Sequence, residues 1–237
     1  MTLTTPSTIA PGSALDGIEL VVFDMAGTTV SDDGVVELAF QRAAERSALP
    51  TEYSPMDALE YVRRTMGMSK IDVFTHLAGG DVDAASRATA AFEAAYAELI
   101  EETGATEIPG AAALIRGLRV DGLRVALTTG FAPVTRDAIL RSLGWEDLVD
   151  IVLSPIDAGR GRPSPDLVLT AALRAGVSAM SAVAVLGDTA SDVRSGRAAG
   201  AGLVVGVLSG SHDRAVLEEA GADAVIDDVT LLRALSR

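Results

Sequence analysis

From Val120 onward, short apolar runs alternate with amphipathic segments. Arg124–Leu127, Ile151–Leu153, Val183–Leu186, Leu203–Val207 and Ala224–Ile226 read as strands. Pro133–Leu143, Pro165–Ala175, Ser191–Ala199 and Arg214–Ala220, which lie between or beside them, read as helices. Strands alternating with helices predict a parallel sheet covered on both faces. Ile18–Phe23 supplies one more strand near the N-terminus. Between that strand and Pro109 the pattern is helical only. Phe92, Ala95, Tyr96, Leu99 and Ile100 recur at i, i+3, i+4, i+7 and i+8, as on a helix burying one face, and Leu59, Val62 and Met66 do so over a shorter span. The alanine-rich run 84–97 is a good helix former. The expectation is an α/β, Rossmann-like parallel-sheet core over 18–32 and 107–237. A helical block over 33–106 interrupts it after the first strand, bounded by Asp32-Asp33-Gly34 and the Gly104–Gly110 stretch.

Composition narrows the function classes. A chain of 237 residues with 49% hydrophobic content can bury a sizeable core, as one large domain or one domain with an insertion. Nineteen basic against 33 acidic residues leave a net charge of −14. Such a surface repels phosphate backbones and anionic lipids, which argues against nucleic-acid and membrane partners. The absence of cysteine excludes disulfides, thiolate catalysis and cysteine metal sites. Residues 1–17 lack Lys and Arg and read as a flexible tail rather than a signal peptide. No apolar run approaches the roughly 20 residues that would span a bilayer. Together these features predict a cytoplasmic protein. Among the 19 basic residues Lys70 is the single lysine, which raises the question of what its position requires.

Ligands of an open parallel sheet bind beyond the carboxyl ends of its strands, where strand order reverses. Four strand ends carry candidate chemistry: Asp24, Thr128-Thr129-Gly130, Gly159-Arg160-Gly161-Arg162-Pro163, and Gly187-Asp188-Thr189-Ala190-Ser191-Asp192. Taken singly, each has an ordinary explanation as a cap, a turn or a solvated charge. In order, each at a strand end, they describe a phosphoryl-transfer site. Convergent carboxylates hold a hard cation such as Mg²⁺, Thr128 donates to a phosphoryl oxygen, and Arg162 adds positive charge. Gly27 lets backbone N–H groups approach the same oxygens.

With these motifs in place, the chain from Ile18 to Arg237 resembles the haloacid-dehalogenase superfamily of hydrolases. The resemblance implies Asp24 as nucleophile, Thr128 as the second motif, Arg162 as the third-motif cation, and Asp188 with Asp192 as the acidic fourth motif. It implies an aspartyl-phosphate intermediate. It also implies Mg²⁺ held by Asp24, the backbone carbonyl of Ala26 and the Asp188/Asp192 acids, and a mobile cap formed by the helical block. Most phosphatases of the superfamily keep an aspartate where Ala26 stands, to protonate an alkoxide leaving group.

Asp24-Met25-Ala26-Gly27-Thr28-Thr29-Val30 and Met66-Gly67-Met68-Ser69-Lys70 look most like phosphonoacetaldehyde hydrolases, as do Gly161-Arg162-Pro163-Ser164-Pro165 and the fourth motif. There the cap lysine forms an imine with the aldehyde, so that the carbon leaves as an enamine. Gly27, Thr28, Thr128, Thr129, Arg162 and Met66 are the expected phosphoryl and substrate contacts. The local pattern supports an unusual lysine on its own terms. Ser69 and Asp72 fit a capping-box variant that puts Lys70 in the first turn of a helix, where the dipole disfavours an ammonium. Val73, Phe74 and Leu77 share its face and would desolvate it. The chain departs from that family at Val73 (histidine there), at or near Gly34 (cysteine) and at Phe131 (tyrosine). His76 reads as an ordinary polar residue, and His212 has no assignable role. The substrate is therefore expected to be a small phosphonate or phosphate ester. Alternatives are a phosphate monoesterase of the same superfamily and, ranked last, a non-catalytic binding protein. Homodimerisation through the cap would fit the family.

Overall fold

The computed structural model describes residues 12–236. In chain order the elements are β1 (Leu20–Asp24), α1 (Val35–Ser47), α2 (Pro55–Arg64), α3 (Lys70–Leu77), α4 (Val82–Thr103), α5 (Ala111–Val120) and β2 (Arg124–Thr128). Then come α6 (Pro133–Leu143), β3 (Ile151–Leu153), α7 (Pro155–Ala158), α8 (Asp166–Ala175), β4 (Val183–Gly187), α9 (Ala190–Ala199), β5 (Leu203–Val207), α10 (Arg214–Glu219) and β6 (Ala224–Ile226).

The six strands form one sheet in the order β3-β2-β1-β4-β5-β6, and every pairing is parallel. The two faces of β1 explain its continuous apolar sequence. Leu20 and Val22 join one buried cluster with Leu167, Val168 and Val193 of α8 and α9. Val21 and Phe23 join another with Ile115 and Leu118 of α5. Successive side chains point to opposite faces, and both faces are covered, so no polar alternation survives. β1 begins at Leu20 rather than Ile18 and extends to include Asp24. Thus the candidate nucleophile is the last strand residue, in register with Thr128 of β2. The other strands and helices lie within a residue or two of their expected ends.

Strand order reverses between β1 and β4, which opens the crevice above their carboxyl ends. Helices α1–α4 sit between β1 and β2 in sequence and rise over that crevice. The two crossings into and out of this block run side by side. Ser31 N–H donates to Thr106 O at 2.8 Å and Ile108 N–H to Thr29 O at 2.9 Å. α1 and α3 pack on α4, and α4 packs on α6. In the loop just before α6, the Phe131 ring lies 6.2 and 4.6 Å from those of Phe92 and Tyr96 of α4.

Helix starts follow their caps. Ser54 and Asp81 accept the N–H groups of Asp57 and Ala84, and Thr189 with Asp192 closes a capping box on α9. The capping box expected from Ser69 and Asp72 is not formed. Ser69 does begin α3 but makes no side-chain cap bond, because its side chain is buried against Gly161. Of the expected tail, residues 1–11 lie outside the described residues. Leu15 is buried and Ala14 N–H donates to Leu235 O at 2.9 Å, so that part is packed rather than loose. Among the described residues no helix is long and apolar enough to cross a membrane.

Candidate active site

Asp24 at the end of β1 is buried, and its Oδ1 lies 2.5 Å from Arg162 Nη1. The same nitrogen lies 2.7 Å from Asp192 Oδ1, and Nη2 donates to Thr128 Oγ1 at 2.6 Å. The other Asp192 oxygen accepts from the backbone and hydroxyl of Thr189. Asp188 follows β4; its Oδ1 accepts the Thr28 hydroxyl at 3.1 Å and its Oδ2 the Ser211 N–H at 2.7 Å. Gly27, at φ +87°, turns the β1 loop past Asp188 so closely that a Cβ would stand 2.5 Å from its Oδ2. Only glycine fits that position.

Ligand oxygens of Asp24, Asp188 and Asp192 all lie within 4.8 Å of one another. Burial, reinforced by Asp192 and Asp188 against the opposing Arg162, pushes Asp24 well above the ordinary carboxylate range. Burial first and Asp192 second push Asp188 up to about 7. Burial works against the charge on Arg162, but Asp192 and Asp24 keep its pKa above the usual value. Three buried carboxylates share one guanidinium, so with all three ionised two negative charges would stand uncompensated. Hard oxygen donors with that deficit fit a divalent cation such as Mg²⁺.

Lys70 opens α3 and is 8% exposed. Its Nζ lies 5.5 Å from the Phe92 ring centroid and 5.4 Å from that of Phe131. Burial lowers its pKa, against the opposing pull of Glu93, Asp32 and Asp24. Val73, Phe74 and Leu77 are buried along the same helix, as the spacing predicts. Lys70 and Asp24 line one narrow cavity of about 30 Å³ together with Ala26, Met66, Thr129 and Asp188. Arg162 joins Thr128 and Asp192 to Asp24 of this cavity, through separate contacts to each. Thr28 and Gly27 flank Asp188. The structure therefore brings together every candidate residue.

Other site residues escaped the sequence reading. Asp32, seen only as part of a boundary turn, lines the cavity, as does Ser211; Thr189, quoted only as a member of the fourth motif, lines it too. Glu93 is buried amid an alanine-rich stretch that reads as plain helix former; a lone acid beside Phe92 was the available signal. His212 gains a role: Ala190 N–H donates to its Nδ1 at 2.9 Å, anchoring the start of α9. His76 stacks on Tyr61 with centroids 4.2 Å apart and meets Tyr53 Oη at 2.8 Å, outside the cavity. Val73 is buried in the apolar cluster and cannot stand in for a histidine.

The fold and this constellation define a class. Residues 18–200 match the haloacid dehalogenase-like hydrolases, and the chain belongs to that family. Within it the likeness is to one branch. The chain is 32% identical over 219 residues to the phosphonoacetaldehyde hydrolase of Bacillus cereus strain B4264, covering 85% of this chain and 80% of that protein. Among solved structures, a hydrolase from Pseudomonas syringae superposes with a TM-score of 0.78 at 26% identity, covering 90% of this chain and 96% of the other. A phosphonoacetaldehyde hydrolase-like protein from Oleispira antarctica shares the fold, with a TM-score of 0.75 at 20% identity, covering 99% and 96%.

Proposed function

We propose that this hydrolase cleaves the phosphorus–carbon bond of a small aldehyde phosphonate of the phosphonoacetaldehyde type, through Lys70 and Asp24. The observation that carries the reading is the burial of the chain's single lysine in the cavity that contains Asp24. A carbanion is too basic to leave phosphorus unaided. A lysine imine next to the bond lets the electron pair delocalise as an enamine. Lys70 Nζ adds to the aldehyde carbon and water departs, giving the imine. Asp24 Oδ then attacks phosphorus, the P–C bond breaks toward carbon, and an enamine and an aspartyl phosphate result. Protonation of the enamine carbon and hydrolysis of the imine release the aldehyde and free Lys70. Water attacks the aspartyl phosphate and returns Asp24 with inorganic phosphate.

Arg162 and Thr128 orient the Asp24 carboxylate and the phosphoryl oxygens, while Gly27, Thr28 and Thr129 supply donors around them. Asp192 holds Arg162 in place. Asp24, the Ala26 carbonyl and Asp188 would hold Mg²⁺, with Asp192 orienting. When bound, the cation offsets the repulsion between nucleophile and phosphonate. Met66 and Phe131 would wall the aldehyde side, and 33–106 would act as a cap closing over the core. With Lys70 serving the leaving group, no acid is required where Ala26 stands.

Phosphate release from phosphonoacetaldehyde with Mg²⁺, set beside a panel of phosphate monoesters, tests this reading, together with borohydride trapping on Lys70. Phosphate and a Lys70 adduct are expected. Turnover of a monoester with neither outcome from the phosphonate would replace it with the phosphatase reading.

A further inference from the structure

Glu93 is the single carboxylate among the buried residues of α4, at 5% exposure. Its Oε1 accepts the Ala132 N–H at 3.0 Å, whereas Oε2 is buried with no hydrogen-bond partner. A buried carboxylate oxygen left in that state is costly unless something polar visits it. A cavity of about 360 Å³ adjoins it, and Lys70 lines the same cavity. Lys70 and Gly130 also line the catalytic cavity, so Lys70 forms part of the partition between the two spaces. Glu93 thus stands on the far side of Lys70 from Asp24. The two make no direct ion pair among the described residues, and the cavity that both line is large enough to hold a bridging water.

We propose that Glu93 accepts the proton of the Lys70 ammonium through a water in this cavity and returns it when the carbinolamine dehydrates. The inference rests on the imine reading above. In the first transfer, ammonium and carboxylate become amine and carboxylic acid, with no net charge created. The amine adds to the aldehyde carbon, and its proton moves to the oxygen. The carbinolamine hydroxyl takes the Glu93 proton and leaves as water, the nitrogen lone pair forms the protonated imine, and the Glu93 carboxylate is restored.

The surroundings favour the exchange. Burial raises Glu93, against Thr135, the Ala132 N–H and Lys70, and burial lowers Lys70, so the two groups approach each other in proton affinity. The charged groups facing Lys70 are Glu93 from α4, Asp32 from the loop before α1, Asp24 from β1 and Arg162 after α7. Asp32 is the rival acceptor, but its Oδ1 takes the Val36 N–H at 3.2 Å and it opens toward the substrate side.

The single lysine makes the test direct. Protein labelled with ¹³C at lysine Cε gives one side-chain signal, which titrates with Lys70. Reductive alkylation of Lys70 by acetaldehyde and cyanoborohydride, read by peptide mass, follows imine formation with no phosphonate present. Glu93→Gln keeps an acceptor for Ala132 but cannot take the proton. Loss of the carboxylate charge should lower the Lys70 pKa and enlarge the free-amine fraction, yet alkylation should slow on the order of 100-fold. Glu93→Asp, which keeps the base at a longer reach, should fall between, and it serves alone should the Gln variant not fold. Asp32→Asn, which removes the rival acceptor, should slow alkylation less than Glu93→Gln does; an equal or greater loss would move the role to Asp32 and overturn the proposal. An alkylation rate that is unchanged or rises with the free amine in Glu93→Gln, or a Glu93→Asp rate equal to wild type, would overturn the proposal. Failure of the P–C reading shows separately, as absence of phosphate from phosphonoacetaldehyde.

Discussion

Arg162 Nη1 lies 2.5 Å from Asp24 Oδ1, within a site where both side chains are buried. The guanidinium also spans Asp192 and Thr128, so one cation organises three of the four motif ends. Breaking a buried pair from one side leaves uncompensated charge and costs about 3–5 kcal/mol. Arg162→Ala should therefore lower unfolding free energy by an amount of that order, measured by denaturant titration, and abolish phosphate release. Arg162→Lys should recover more stability than activity, since an ammonium cannot reproduce the fork.

Removing the amine at Lys70 should separate function from folding. Lys70→Met replaces a desolvated ammonium between Phe92 and Phe131 with an apolar chain of similar length. Phosphonate turnover should fall on the order of 10⁴-fold or more, while the melting temperature stays or rises. A large drop in melting temperature would mean that the ammonium is structurally required.

Because burial lowers the Lys70 pKa, the reactive free amine persists to lower pH than an ordinary lysine would allow. The acid limb of the rate of Lys70 adduct trapping should accordingly lie below the usual lysine range. A limb at the pH of an exposed lysine would contradict the buried geometry.

Mg²⁺ binding should compete with protons at Asp188. Its folded pKa is pushed up to about 7, above the ordinary carboxylate value, chiefly by burial. For a raised carboxylate, the stabilising contribution is present below the unfolded pKa and is lost as pH rises through the folded one. Metal-free protein should thus lose stability between about pH 4 and 7 from this group. Added Mg²⁺ should raise the melting temperature more at pH 8 than at pH 5, as scanning calorimetry would record.

Gly67 should prove to be a closure point between the helical block and the core. At φ +80° its added Cβ would collide with the Thr189 hydroxyl at the start of α9. Gly67→Ala should lower kcat/KM by about tenfold or more, because small displacements of reacting groups are expensive. Circular dichroism should show the helices retained.

Much of this architecture is legible along the chain because its signals are local. The apolar runs at 124–128, 183–187 and 203–207 are strands buried on both faces, and period-3.6 spacing at Phe92, Tyr96 and Leu99 marks α4. Asp24, Thr128 and Asp188 are readable because each stands at a strand end; Arg162, expected at one too, lies beyond the short α7 that follows β3 and is marked instead by its Gly-Arg-Gly-Arg-Pro run. Strand order is not written locally: β1 pairs with β2 on one side (Leu20 with Arg124) and β4 on the other (Leu20 with Val183), contacts that span 104 and 163 residues (124 − 20 and 183 − 20). The Ser69 capping box failed for a related reason, since a tertiary contact with Gly161 outweighed the local rule.

The sequence by itself determined the class of fold, the order of the chemical motifs and the singularity of Lys70, because periodicity, turn residues and composition are properties of neighbours in the chain. Tertiary structure alone decided that Lys70 faces the cavity of Asp24, that Arg162 binds two carboxylates at once, and that Glu93 is buried with an unpartnered oxygen behind the lysine. Burial and electrostatics depend on what packs from distant segments. The same acid in an alanine-rich helix is a solvated charge or a buried base according to which surface closes over it.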